Sequence, residues 1–361
     1  MNPFNAGCGD AGTRGYCDYF FVCDVPASLC PRILKPLISV FLVVLLGPTG
    51  VGKTEVALEL ARQLKTEIIS ADSRQIYKYM DIGTAKPTRS QQELVRHYLI
   101  DLIEPDQVYS AADYARDAGQ VIQKFHTRGQ IPLLVGGTGL YIRAVTEGIF
   151  EGPGADPDFR QEMERLAGLY GSDYLHRKLQ RIDPETALRL HVHDLVRIIR
   201  ALEVYHLTGK PLSYHHKQSS WGHLRYPTCF LGLTRPREEL YQRINRRVEA
   251  MIAQGFVEEV KALLERGYHP SLHAMQSLGY KQMTEFILKG GSLDKTVLNI
   301  QKETRHYAKR QLTWFRQNPW ITWLHLLESQ APSEVVQQCL RLIKAFYSKV
   351  KPKDFKNSIS N

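Results

Sequence analysis

The chain has 361 residues, of which 43% are hydrophobic and 23% charged, and it carries a formal net charge of +10. That balance excludes a disordered chain, which is too poor in apolar residues to bury a core, and a length beyond ~250–300 residues predicts two lobes. Six cysteines without a zinc-ligand spacing predict a reduced, cytoplasmic chain, the absence of any ~18–20-residue apolar run predicts no membrane partner, and the positive excess suits a polyanion such as nucleic acid.

Residues 1–36 mix Gly, Cys, Asp and Pro without periodicity and read as a poorly ordered extension, which holds Cys8, Cys17, Cys23 and Cys30. A core is expected over residues 37–150. Its first strand is the apolar run Phe41-Leu42-Val43-Val44-Leu45-Leu46, which leads directly into Gly47-Pro48-Thr49-Gly50-Val51-Gly52-Lys53-Thr54 and the helix former Glu55-Val56-Ala57-Leu58-Glu59-Leu60-Ala61. This is G-x-x-x-x-G-K-[ST] between a strand and a helix, the setting that a P-loop requires. Glycines let successive N–H groups converge on one point, and the helix dipole adds positive potential, so a phosphate is the expected ligand. Lys53 would reach that phosphate as a point charge, and the Thr54 hydroxyl would sit on Mg²⁺, the one cofactor expected. The motif is of the nucleotide-binding, ATP-binding class, but by itself it predicts only a phosphate and not which phosphate or which reaction.

Ile68 and Ile69 mark a second strand, with Asp72 and Ser73 at its carboxyl end. Ligands bind at that end of open parallel sheets, so Asp72 is either a functional carboxylate or a helix N-cap. Residues 80–87 read as a loop, His97-Tyr98-Leu99-Ile100-Asp101 as a strand, and Tyr109 to Tyr114 as a helix start capped by Ser110, with Asp113 in its first turn. The next strand, Gln130 to Val135, ends in a second glycine loop, Gly136-Gly137-Thr138-Gly139. Strand alternating with helix predicts a parallel α/β sheet.

Residues 151–212 show helical periodicity and almost no strand signal, and read as a helical insertion. Arg197 and Arg200 share a face of one of its helices. Tyr214-His215-His216-Lys217 reads as loop. A second part of the core is expected over 213–348, with a strand at Thr228 to Leu233, a helix from Arg237 to Met251 that spaces Arg243, Arg246 and Arg247 about a turn apart, and a long helix from Asp294 to Arg316. The three arginines suit a clamp on a transferring or leaving phosphate, or a solvated face. The long helix interleaves Lys302, Arg305, Lys309, Arg310 and Arg316 with Tyr307, Trp314 and Phe315, as RNA binders do; a helix packed by its aromatics would look similar. A last strand at Ile321 to Leu324, a last helix near Ser333 to Tyr347 and a basic tail over 349–361 complete the chain.

Taken in order, the P-loop, the run Ile69 to Tyr77, Met80 to Pro87, Tyr109 to Asp113, Leu134 to Tyr141, Arg197 to Val204, Thr208-Gly209-Lys210-Pro211 and Ala308 to Phe315 resemble one family, the tRNA dimethylallyltransferases. The resemblance implies a P-loop NTPase-like parallel sheet flanked by helices, with an all-helical insertion domain that binds tRNA. It implies transfer of a dimethylallyl group from dimethylallyl diphosphate to the N6 amine of the adenine 3′ of the anticodon, in tRNAs reading UNN codons, by a monomer. The loop would then hold a prenyl diphosphate, with Lys53, Thr54 and Mg²⁺ neutralising the leaving diphosphate. Asp72 would accept the amine proton or hold the amine. Thr49 and Arg247 match positions expected at the diphosphate, and Thr138 and Arg160 match positions near the tRNA. Ser73-Arg74-Gln75, Val196-Arg197-Ile198-Ile199-Arg200 and Gln276-Ser277-Leu278-Gly279-Tyr280-Lys281 would join Asp72 in facing the anticodon stem-loop, whose adenine must be flipped out. His191-Val192-His193-Asp194 departs from the family's His-Pro-Asn-Asp. The alternative is a P-loop small-molecule kinase of the nucleoside or nucleotide type, which needs the same loop; an RNA-binding protein with a degenerate loop fits less well, since Lys53, Thr54 and Asp72 are intact.

Overall fold

A computed structural model of the chain describes residues 41–150, 152–218, 222–327 and 330–350. The expected extension over residues 1–36 and all but the start of the basic tail lie outside the described residues.

The apolar run after Phe41 forms β1 (Leu42–Leu46), buried at every position. A strand apolar on both faces belongs inside a sheet. β1 accordingly pairs in parallel with β4 (Leu133–Gly136) on one side and β5 (Thr228–Thr234) on the other. With β2 (Ile68–Ala71), β3 (His97–Tyr98) and β6 (Ile321–His325), they make a six-stranded parallel sheet in the order β3-β2-β4-β1-β5-β6. The chain leaves β1 toward β2 and later returns past β1 to β5. The carboxyl ends of β1 and β4 therefore open onto the crevice where such sheets take ligands.

Helices α1 (Lys53–Leu64), α2 (Arg89–Leu94), α3 (Ala111–Thr127) and α4 (Gly139–Thr146) are interspersed with the first four strands. Among the described residues five more follow without a strand: α5 (Pro157–Tyr170), α6 (Ser172–Ile182), α7 (Pro184–Arg189), α8 (Leu195–Thr208) and α9 (Leu212–Gln218). Between β5 and β6 lie α10 (Arg237–Ala253), α11 (Phe256–Glu265), α12 (Tyr280–Lys289) and α13 (Leu293–Phe315), and α14 (Pro332–Lys349) comes last. Alternate residues of β1 feed two cores. Val43 and Leu45 pack with Val56 and Leu60 of α1 and Val336 and Cys339 of α14. Leu42, Val44 and Leu46 pack with Tyr114, Ile122 and Phe125 of α3 and Ile142 of α4. Ser110 and Asp113 form the capping box that starts α3.

Three local expectations change. The third strand stops at Tyr98, because Leu99 and Asp101 take φ values of 62° and 53°, which a strand cannot continue. Tyr214-His215-His216-Lys217 is part of α9, so helix runs on to Gln218. Ile198 and Ile199, expected at an anticodon loop, instead fill the core of the α5–α9 segment with Met163, Leu175, Leu179 and Leu202. They are the apolar stripe of α8, and a segment that carries its own core must bury that stripe. No helix among the described residues is long and apolar enough to cross a membrane.

Candidate active site

The loop from β1 to α1 bends through Gly50 and Gly52, whose φ values of 81° and 104° lie in the region only glycine enters cheaply. Gly52 is the N-cap of α1 and carries no side chain to cap it. The first N–H groups of α1 are thus free of a side-chain cap, and the positive end of its dipole faces the crevice. Lys53 folds over the loop, and its Nζ donates to the carbonyls of Gly47 and Pro48 at 3.0 and 2.9 Å. An ammonium has a third N–H for an anion. Burial pushes Lys53 down to about 8, against the pull of the Asp72 carboxylate.

Arginines fix the outer side of the loop. Arg235 Nε donates to Val51 O at 2.9 Å, Arg243 Nε to Gly50 O at 3.0 Å, and Arg247 Nη2 to Thr49 Oγ1 at 2.5 Å. The Arg247 Nε is buried without a partner. Burial lowers the Arg247 pKa, and the Asp72 charge opposes that shift. A buried cationic N–H left unsatisfied marks a place where an anion fits.

Thr49, Gly50, Gly52, Lys53, Thr54, Asp72, Arg243, Arg246 and Arg247 line one chamber of about 480 Å³. A second chamber of about 300 Å³ shares Thr49, Asp72, Thr84, Arg247 and Tyr307 with it. Val248, Met251, Phe256, Leu278 and Ile300 give the second chamber an apolar wall. One end of the combined cavity therefore suits an anion, and the other a hydrocarbon or a flat base. Asp72 stands at the junction. Its Oδ1 accepts from the N–H of Arg74 at 2.8 Å, a turn rather than a helix cap. Thr138 holds this corner, accepting from the N–H of Ser73 at 3.0 Å. Tyr307 is pushed up to about 12, by burial first and then by the Asp72 charge.

Thr54 lines the first chamber beside Asp72 and Glu55, a set of hard oxygen donors of the kind Mg²⁺ takes. Among the described residues no group of three or more His, Cys, Asp or Glu side chains could hold a metal. Mg²⁺ fits here if phosphate oxygens and water complete its shell, its usual habit.

The residues expected at tRNA lie in different surroundings. Ser73, Arg74 and Gln75 follow Asp72 at the cavity mouth, where Arg74 Nη1 donates to His273 O at 3.3 Å and Gln75 Nε2 spans Thr84 O and Ala85 O. Val196, Arg197, Gln276 and Lys281 are exposed. Ile198, Ile199, Ser277, Gly279 and Tyr280, expected to face the anticodon loop, are buried, the two isoleucines in the core of α5–α9. The Tyr280 hydroxyl donates to Glu259 at 2.6 Å, while Ser277, Leu278, Gly279 and Tyr280 line the second chamber. Arg160 gives two N–H groups to Glu203, at 2.7 and 2.8 Å, and Arg200 a third at 2.5 Å.

Sequence reading missed Glu259, which accepts from the N–H groups of Asp81, Ile82 and Gly83 and so pins the loop between the two chambers. It also missed the inward face of α13. Thr304, Ala308, Gln311 and Phe315 are all buried. Their i, i+4, i+7, i+11 spacing was the available signal for a buried amide at Gln311.

The profile of a family described as IPP transferase matches residues 75–318. A tRNA dimethylallyltransferase from Syntrophobacter fumaroxidans is 50% identical over 281 residues, covering 78% of this chain and 82% of that protein. One from Geobacter sulfurreducens is 48% identical over 283 residues, covering 78% and 91%. Among solved structures, the full-length tRNA isopentenylpyrophosphate transferase of Bacillus halodurans superposes with a TM-score of 0.64 at 39% identity, covering 85% of this chain and 96% of its own. A eukaryotic dimethylallyltransferase crystallised acting on tRNA gives a TM-score of 0.73 at 26% identity, covering 87% and 81%. A P-loop alone left a kinase open, but the match runs far beyond that loop, and the chain belongs to the IPP transferase family of tRNA-modifying prenyltransferases.

Proposed function

We propose that the chain transfers a dimethylallyl group from dimethylallyl diphosphate to the N6 amine of the adenine 3′ of the anticodon, in tRNAs reading UNN codons, and releases diphosphate. The observation that carries this reading is the joined cavity, cationic at the P-loop and apolar beyond it, with Asp72 at the junction. A prenyl diphosphate has the same two-ended character. A kinase could use the same apolar wall for a base, and the family match over residues 75–318 is what favours the prenyl reading over it.

The reaction forms one bond and breaks one. The adenine N6 lone pair attacks the first carbon of the prenyl group, whose bond to the diphosphate oxygen breaks with its electrons leaving on oxygen. Charge builds on the diphosphate, where Lys53, Arg247 and the loop N–H groups already point, so they stabilise the transition state more than the ground state. Thr54 would hold Mg²⁺, which supplies further neutralisation of the phosphate oxygens. The N6 proton passes to the Asp72 carboxylate as the nitrogen becomes positive, which is when an aromatic amine gives it up. The Arg74 N–H fixes the other function of that carboxylate, its orientation.

The adenine must leave its stack to reach this cavity. The exposed Val196 and Arg197 of α8, with Gln276 and Lys281, would meet the anticodon stem-loop from outside. The enzyme acts as a cytoplasmic monomer in this reading. Mass spectrometry of tRNA incubated with the protein, dimethylallyl diphosphate and Mg²⁺ tests it. The expected product carries one dimethylallyl group on that adenine. Unmodified tRNA, or phosphoryl transfer from ATP to a nucleoside, would refute it.

A further inference from the structure

We propose that Gln311 is a positioning residue for the donor diphosphate, a staple that sets the P-loop against the second glycine loop. Gln311 lies on α13, the helix whose basic and aromatic residues suggest RNA binding, yet its side chain points inward and is 7% exposed. Its Oε1 accepts from the N–H of Thr49 at 2.9 Å, and its Nε2 donates to the carbonyl of Gly137 at 2.8 Å. One amide therefore bridges the two glycine loops at the carboxyl ends of β1 and β4. A Cβ at position 137 would sit 2.5 Å from Nε2, so glycine there is what lets the staple close.

The staple acts through Thr49. The Thr49 hydroxyl accepts from Arg247, whose guanidinium keeps an unpartnered buried Nε at the anion chamber. Gln311, Thr49 and Arg247 thus form a chain from α13 to the phosphate site. The same helix is registered on α10 further back, where Gln301 donates to Glu249 at 3.0 Å and Arg305 to Asn245 Oδ1 at 2.7 Å. α10 carries Arg243 and Arg247. Hence α13 holds both halves of the anion site, the loop at one end and the arginines at the other.

Only a group that is donor and acceptor at once can make both bonds. A carboxylate in its place would accept from Thr49 but oppose the Gly137 carbonyl and the diphosphate. A protonated carboxyl would restore the pattern, with C=O toward Thr49 and O–H toward Gly137. This makes the role testable by pH. Lys53, Glu55, Asp72, Arg243, Arg246 and Arg247 face the same chamber, as does Tyr307. Their titration is common to parent and variants, and comparison of each variant with the parent at the same pH removes it to first order.

The inference rests on reading the first chamber as the diphosphate site, so binding of inorganic diphosphate with Mg²⁺ is measured by calorimetry beside the kinetics. Gln311→Met should weaken diphosphate about tenfold at every pH, from loss of the buried hydrogen bonds. The KM for an anticodon stem-loop RNA should stay within about twofold, since the variant touches no RNA-facing atom. Gln311→Glu should be worse than Gln311→Met at pH 8 and recover toward the parent as pH falls through the pKa of the introduced carboxyl, read by NMR in the same protein. That reversible recovery, within one protein, separates positioning from simple loss of fold. Diphosphate affinity equal to the parent's, an equal rise in both substrates' KM, or a Gln311→Glu deficit that ignores pH would each overturn the proposal. A parent that binds no diphosphate would overturn the reading of the chamber itself.

Discussion

Lys53 is held where its charge is costly. Burial brings it down to about 8 from an ordinary 10.5. A group with a depressed lysine pKa is charged below that value and neutral above it, and the anion needs the charged form. Diphosphate affinity should therefore be flat below pH 8 and fall above it, by up to about tenfold per unit. Lys53→Arg keeps its charge throughout, so the inflection near 8 should vanish from its calorimetric profile even though the point-charge geometry suffers. An inflection shared by both proteins would assign the titration elsewhere. Asp72 gives a second residue-scale test. Asp72→Asn keeps an oxygen for the Arg74 N–H but cannot take a proton. Its kcat should drop by about 10²–10⁴, with both KM values within a few-fold. Equal losses in kcat and in RNA affinity would make Asp72 a binding residue.

Glu203 organises the root of the helical segment. Its fully buried carboxylate takes the N–H of Asp156 at 2.8 Å together with Arg160 and Arg200, and Arg200 also donates to Pro153 O at 2.9 Å. Burial works to raise its pKa, but the bonds from Arg160, Arg200 and Asp156 win and hold it at about 2. A depressed carboxylate stabilises above its unfolded value of about 4.3 and loses that contribution as pH falls toward 2. Glu203→Gln should lose about 2–3 kcal/mol at pH 7, less than a fully buried pair because Arg160 is partly exposed, and should show a shallower acid transition in thermal melts. Unchanged acid sensitivity would place the titration elsewhere. Arg197 differs from Arg200. It is exposed and pairs locally with Asp194, the N-cap of α8. Arg197→Ala should reduce the salt slope of tRNA binding by about 1, whereas Arg200→Ala should lower the melting temperature first. Identical salt slopes for parent and Arg197→Ala would remove α8 from the RNA surface.

Local pattern explains what could be read in advance at this scale. The P-loop is contiguous, and β1 and α13 announce themselves by apolar runs and spacing. Gln311 and Thr49 are 262 positions apart, so no window of sequence contains that bond. The third strand is shorter than its sequence pattern because buried Lys86 ties Asp81, Asp101 and Tyr77 O together around an irregular segment. Within the run Val196 to Arg200, the helix turns Ile198 and Ile199 into the core while Val196 and Arg197 stay exposed, a division that a contiguous motif does not display.

At the scale of the molecule, the net charge of +10 and the exposed basic residues of α8 and α13 would draw an RNA toward a cavity whose own cations serve a different anion. The sheet supplies the nest, α10 the arginines, α13 the brace between them, and α5–α9 a separately packed outer wall. The central claim is that the diphosphate lies in the Gly47–Thr54 turn while its prenyl chain lies along Val248, Met251 and Ile300 beside Asp72. A crystal structure of the protein with a non-reactive thio analogue of dimethylallyl diphosphate, Mg²⁺ and an anticodon stem-loop measures this directly. The account predicts phosphate oxygens on the Lys53 Nζ and Arg247, with the flipped adenine amine within hydrogen-bond reach of Asp72. A diphosphate lodged outside the turn, or an adenine separated from Asp72, would contradict it.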